Sequence, residues 1–369
     1  MKKQLLSTSA IALGVAMAAP ASAQQWDVAF GGFVNTHVGA SDVDLPSGST
    51  ADLDGVNVFT NSEIIFQPSV TLDNGLTFGV NVQLEALNAG SEPDDNEIDE
   101  SYAYMESDTL GRVEAGSHNS AGYLLSKGAP TVGSMAINSP SISAFVPFVS
   151  GQGFRQAGIS SYTEVAGNND VQRISYFTPS FNGLTVGVSY APSSAGNASN
   201  NAPVDFNSTS DVTDIFDIGV AYDQSYGGVD VGLSARWGTG NSNFSAVDDP
   251  TTWSIGANLG VNAFTFGGSY GENDNGGAGG VGDNEGFSLG VAYDIVGPWS
   301  VGLETYQGEL KTALNNSDYE TYKLAASRDL GPGVSWDVYY AYVETNNGAV
   351  AGNPKVEGNV LATAINLSF

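Results

Sequence analysis

Apolar and polar residues alternate along most of this chain. Leu76, Phe78, Val80, Val82 and Leu84 fall on one face of an extended segment, and Thr77, Gly79, Asn81 and Gln83 fall on the other. A period of two marks a strand whose two faces meet different surroundings. The same arrangement recurs in windows starting at Leu184, Val229, Trp253, Phe287, Val334 and Leu361. Short turns at Asp73-Asn74-Gly75, Phe181-Asn182-Gly183, Tyr226-Gly227-Gly228, Gly297-Pro298 and Gly331-Pro332-Gly333 alternate with longer polar segments. The pattern predicts about sixteen strands: 26–40, 56–72, 76–88, 98–106, 111–118, 171–180, 184–191, 214–225, 229–238, 252–262, 263–271, 286–295, 299–309, 318–330, 334–344 and 359–369. An even number of antiparallel strands closes a barrel, and sixteen leave an aqueous interior.

The composition of the two faces says what each one meets. The polar face is mostly Gly, Ser, Thr and Asn instead of the Lys and Glu of a soluble sandwich, which suits a water-filled lumen. The other face is continuously apolar, which suits lipid. Trp26, Trp237, Trp253, Trp299 and Trp336 lie on the apolar phase near strand ends, where aromatic girdles belong. The expected fold is therefore all-β, a transmembrane antiparallel β-barrel. One connection is far longer than the rest, from about Asn119 to Asp170. Its apolar pieces (Tyr123, Leu124, Leu125, Ile142, Phe145, Val146, Phe148) need cover, which folding into the lumen would supply. An outer flap or a subunit-contact loop is the alternative.

Charge and rare residues narrow the chemistry. Only 14% of the 369 residues are charged, and 40 acids face 11 bases, which argues against nucleic-acid binding. The absence of cysteine excludes disulfides, thiolate metal sites and cysteine nucleophiles. Lys2 and Lys3, the apolar stretch Leu5 to Ala19 and the small residues Ala21-Ser22-Ala23 read as a secretory signal peptide over 1–23, leaving 24–369 as the barrel. No apolar run long enough for a spanning helix follows it.

The string ISYFTPSFNGLTVGVSYAP at 174–192 resembles the sixth and seventh strands of the Gram-negative general porins, particularly the alphaproteobacterial ones. Gly111-Arg112-Val113-Glu114-Ala115-Gly116, Gly128-Ala129-Pro130-Thr131-Val132-Gly133 and the terminal Phe369 extend the resemblance. It implies a 16-stranded trimeric barrel in the outer membrane, reached through the periplasm and set in lipid and lipopolysaccharide. Its third loop, here 119–170, would fold inward and narrow the pore. It also implies that Phe369 is read by the barrel-assembly machinery, and that the function is passive diffusion of ions and small hydrophilic solutes, with no catalysis.

Strand phase assigns Asn35, His37, Glu63, Gln67, Asn81, Gln83, Glu85, Glu114, His118, Arg173, Arg236, Glu304, Lys323 and Asp337 to the lumen, joined by Lys127 and Arg155 from the long loop. In general porins acids on the third loop oppose bases on the wall. Here that loop carries only Glu164 and Asp170 as acids, so Glu63 and Glu85 are expected to face Lys127 or Arg155 with the polarity reversed. The acidic excess predicts mild cation selectivity. No cofactor is expected, although Asp94, Asp95 and Glu97 are weak candidates for structural calcium. A sugar-specific channel is the alternative function. It would want consecutive rings in the lumen, whereas Phe33, Phe59, Phe177, Tyr306 and Tyr339 share that phase on scattered strands. A Ser-His hydrolase has no recognisable motif, and a β-solenoid would need a fixed short repeat.

Overall fold

The computed structural model describes residues 25–87, 98–137, 140–147, 164–165, 169–195 and 211–369. Sixteen strands form one closed barrel: β1 (Asp27–Asp44), β2 (Gly55–Thr71), β3 (Thr77–Leu87), β4 (Ile98–Ser107), β5 (Gly111–Ser117), β6 (Gln172–Phe177), β7 (Leu184–Ser193), β8 (Val212–Tyr226), β9 (Val229–Ser242), β10 (Thr251–Val261), β11 (Phe264–Asp274), β12 (Asn284–Asp294), β13 (Trp299–Lys311), β14 (Asn316–Gly331), β15 (Val334–Asn346) and β16 (Lys355–Ser368). Each pairs antiparallel with its chain neighbours, and β1 pairs with β16 in a register that sets Phe33 opposite Ser368. Closure leaves no unpaired sheet edge, the condition for a sheet to cross lipid.

Every expected strand is present, and the main differences lie at the long-loop end. β1, β9 and β16 run up to four residues beyond their expected limits, into Ser-, Asn- and Asp-rich sequence. Backbone pairing continues past the membrane, so polar composition there marks water and not the end of a strand. Outward-facing carboxylates mark the same level. Glu272, Glu285, Glu309 and Asp318 stand in directly opposed positions on adjacent strands, as do Glu320, Glu344 and Glu357. Like charges opposed in this way repel, which water and salt soften, and Lys355 bridges Glu344 and Glu357 at 2.8 and 2.6 Å. Tyrosines just below bond to them, Tyr270 to Glu272 at 2.6 Å and Tyr342 to Glu344 at 2.7 Å. Trp253 lies opposite Trp237 at this end, and Trp299 packs on Trp336 at 5.8 Å near the short-turn end. The apolar band lies between these two girdles.

The main buried core lies inside the barrel. Val132, Met135, Ile137, Ile142, Phe145 and Val146 of the long connection pack on Tyr306, Tyr319, Tyr339, Ala341, Val343, Val360 and Ala362 of the inner wall. The outer face stays bare, with Leu361 and Ile365 exposed while their inward neighbours Ala362 and Ala364 are buried. The connection enters the barrel through one helical turn, α1 (Ala121–Leu124), whose N-cap hydroxyl Ser120 accepts from the Tyr123 amide. Leu124, expected under cover, is exposed on the lumen side. Phe148, the leader 1–23, Arg155 and the calcium candidates Asp94, Asp95 and Glu97 lie outside the described residues.

Candidate functional site

The inserted connection follows the wall from β6 round to β2, and polar wall residues hold it strand by strand. The Ala121 and Gly122 amides donate to Ser189 Oγ (3.2 Å) and Asp217 Oδ1 (2.5 Å) on β7 and β8. The Lys127 amide donates to Ser234 on β9 at 2.9 Å, and the Ala129 amide to Ser288 on β12 at 3.1 Å. Thr131 donates to Glu304 on β13 at 2.5 Å. The Ser134 amide and hydroxyl both reach Asp337 Oδ2 on β15, at 2.8 and 3.0 Å. Tyr319 on β14 donates to the Ile137 carbonyl at 2.6 Å, and Asn57 on β2 to the Ala144 carbonyl at 2.5 Å. All but the Thr131 and Ser134 hydroxyl bonds satisfy a loop backbone group that the wall would otherwise strip of water.

Close approach also needs a wall without side chains. A methyl group placed on Gly219 would lie 2.8 Å from the Gly122 Cα, and one on Gly302 would lie 2.7 Å from Val132. Gly256 admits the Lys127 carbonyl in the same way. The glycines and alanines of the lumen face thus form the seat of the connection.

The seat covers several of the sequence-assigned lining residues. His37 is fully buried beneath Ser134, stacked on Phe59 at 4.5 Å and bonded to Tyr339 at 3.0 Å. Glu304 and Lys323 pair at 2.5 Å, and Lys323 Nζ also donates to the Met135 carbonyl. Arg236 pairs with Asp217 at 2.5 Å, while Glu164 takes the Ser120 amide at 2.7 Å and faces Arg173 at 3.4 Å and Arg236 at 3.8 Å. These four ionised side chains are almost completely buried. Glu164 is therefore a clasp joining the outgoing and returning limbs of the connection. His118 bonds Ser175 at 2.8 Å, and burial, with Arg173 nearby, pushes its imidazole down to about 3 and keeps it neutral. Burial, reinforced by Glu164, pushes the Tyr123 phenol up to about 12.

Among the described residues, the seat does not extend over the wall from Glu63 of β2 to β5. Gln67 bonds Asn81 at 2.8 Å, and Gln83 bonds Glu100 at 2.8 Å. Glu63 stands opposite Glu85, and among the described residues the acids Asp99, Glu85 and Glu100 act on it. Glu100 also accepts from the Asn119 side chain at 2.8 Å, so this acidic patch lies where the connection leaves the wall. Asp170, at the point of return, is pushed up by burial and by Asp99 and Glu100. Asn35 lies further up the inner face of β1. Towards the short turns, Arg112 pairs with Glu114 and Glu106 at 2.6 and 2.7 Å and covers the Tyr104 ring at 4.0 Å.

Two expectations about contacts change. Lys127 reaches Asp223 at 2.7 Å and not Glu63 or Glu85, because its stretch is bound to β9 and β10 on another part of the wall. Rings are also less scattered than the sequence suggested. Tyr306 and Tyr319 lie 5.9 Å apart, and Tyr102, whose ring lies 5.0 Å from His118, and Tyr104 belong to the lumen and not to a girdle. Strand parity from Glu100 would have found both tyrosines. Asp217 was equally legible, since it alternates without a break with Gly219 and Ala221 on the inner face of β8.

A family model described as Gram-negative porin matches residues 7–348. No curated protein matches the chain. Among solved structures, the outer membrane channel DcaP of Acinetobacter baumannii is similar with a TM-score of 0.62 at 13% identity, covering 95% of this chain and 99% of that one. An anion-selective porin from Comamonas acidovorans gives 0.58 at 18% identity, with 93% and 100% covered. OmpT of Vibrio cholerae, in a trimer form, gives 0.60 at 11% identity, with 93% and 99% covered.

Proposed function

This chain belongs to the Gram-negative porin family, and from that premise we propose that it is a general diffusion channel with mild cation selectivity, constricted by the connection 119–170. The outer membrane is its place, and passive passage is its work. The single observation that supports the selectivity is the uneven pairing of charge inside the barrel. Lys127, Arg112, Arg173, Arg236 and Lys323 each sit against a carboxylate. Glu63 on β2 stands instead opposite Glu85, with the acids Asp99 and Glu100 also acting on it. Cations entering there meet a negative potential in a narrow, partly dehydrated space. A protein of similar fold from Comamonas acidovorans is an anion-selective porin, so on this reading the sign is not set by the fold. The residues on the wall make the difference.

We read the assembly as a homotrimer, in line with the trimer form of the similar OmpT. Phe369 follows β16 and is exposed, its amide donating to the Gly32 carbonyl at 3.2 Å, which supports a role in barrel closure. Single-channel recording in planar bilayers under a KCl gradient tests the selectivity. We expect conductance steps in threes and a cation-side reversal potential that moves toward zero in Glu63→Gln. An anion-side reversal potential in the unmodified protein would sink the proposal.

A further inference from the structure

Between α1 and the wall at β12 and β13 lies a niche of about 400 Å³. We propose that it is a binding subsite for neutral saccharides on their way through the channel, an inference that rests on the diffusion-channel reading.

Its volume lies within the range of small-molecule sites, about 300–1,000 Å³. One side is apolar or aromatic, from Tyr123 and Leu124 on α1, with Tyr306 of β13 buried in the wall. The other presents the exposed Thr131, backed by the buried Ser288 and Glu304. A pyranose has the matching build, a C–H face that stacks on rings and an edge of hydroxyls that both donate and accept. Charge argues the same way. Glu304 is neutralised by Lys323 at 2.5 Å, so the niche offers hydrogen bonds without the net field that marks the β2–β4 wall. Ions gain little there, while a neutral polyol loses nothing.

The polar groups are also held in position before any solute arrives. Thr131 is fixed by its bond to Glu304 (2.5 Å), and Ser288 by the Ala129 amide (3.1 Å) and Ser269 (2.8 Å). Leu124 supplies an independent reason. It is 48% exposed in the lumen, apolar surface that a stacked solute would cover.

Sucrose is the probe, added to the full-length protein in planar bilayers while single-channel current is recorded. The expected result is a saturable fall in conductance with added current noise. In Tyr123→Ala, or in Leu124→Gln at the exposed rim where folding is not at stake, the half-saturating concentration should rise at least fivefold. Conductance that falls only in proportion to the conductivity of the sucrose solution would overturn the niche. So would a half-saturating concentration unchanged in both variants. Failure of the protein to conduct without sucrose would overturn the channel reading and the niche together, whereas normal conduction that ignores sucrose overturns the niche alone.

Discussion

Asp337 is fully enclosed, and a single carboxylate oxygen of it takes the amide and hydroxyl of Ser134 and the side chain of Asn366 at 2.6 Å. Replacing it with alanine leaves those donors buried without an acceptor, at about 1–3 kcal/mol each for the groups that cannot find water. In Asp337→Ala the inserted connection should loosen, seen as a lower heat-denaturation midpoint and noisier open-channel current. Current as quiet as in the parent would show that the tether is dispensable. Gly219 makes the opposite experiment, because a side chain there meets α1 at 2.8 Å while the ladder of β8 is untouched. Gly219→Val should push α1 off the wall toward the pore axis and lower the unit conductance, with the barrel still folding. Asp170 adds a pH dependence. Burial with Asp99 and Glu100 raises its carboxyl in the folded chain, so the folded state holds a proton that the unfolded chain releases at about 3.9. Its stabilisation is complete below that value and is lost as pH rises through the raised one. The denaturation midpoint should therefore drop from about pH 4 to about pH 9, and drop less in Asp170→Asn. None of these three roles was legible residue by residue. Strand phase placed Asp337 in the lumen, but its contact with Ser134 joins positions distant in the chain, and Gly219 shows its use only with α1 in place.

At the scale of elements, the strands were legible because period two records a two-sided environment, and the tight turns fixed where each strand reverses. The inserted connection was legible in outline only. Its apolar pieces signalled burial, and alanines such as Ala341 and Ala362 on an otherwise polar face marked where the apolar loop would rest. What the sequence hid was the use made of its acids. Family resemblance suggested loop acids at the pore, yet Glu164 is 2% exposed and spent on the Ser120 amide and two guanidinium groups. A carboxylate so engaged organises the root of the element instead of meeting solutes. Glu164→Gln keeps the shape but takes a charge from between two buried cations, a change of about 3–5 kcal/mol when a buried ion pair is broken. The variant should show frequent transient closures at unchanged ion selectivity. A changed selectivity with steady current would instead place Glu164 at the pore.

Over the whole molecule, the formal charge of −29 could bias the channel in two ways, through the broad field of acidic strand ends and loops or through the patch at Glu63, Glu85, Asp99 and Glu100. Salt separates them. The Debye length is about 10 Å at 0.1 M and about 3 Å at 1 M, so the field of the rim fades across that range. A patch on the lumen wall is met by ions at close range, and its low-dielectric surroundings weaken screening. Cation preference should therefore decline from 0.1 M to 1 M KCl at a fixed concentration ratio without vanishing. The part that persists at 1 M should be the part Glu63→Gln reduces, while neutralising an outward carboxylate such as Glu309 should affect only the low-salt part. A preference that disappears entirely at 1 M in the parent protein would transfer selectivity from the wall patch to the rim, and the uncovered β2–β4 wall would then set pore size without setting charge preference.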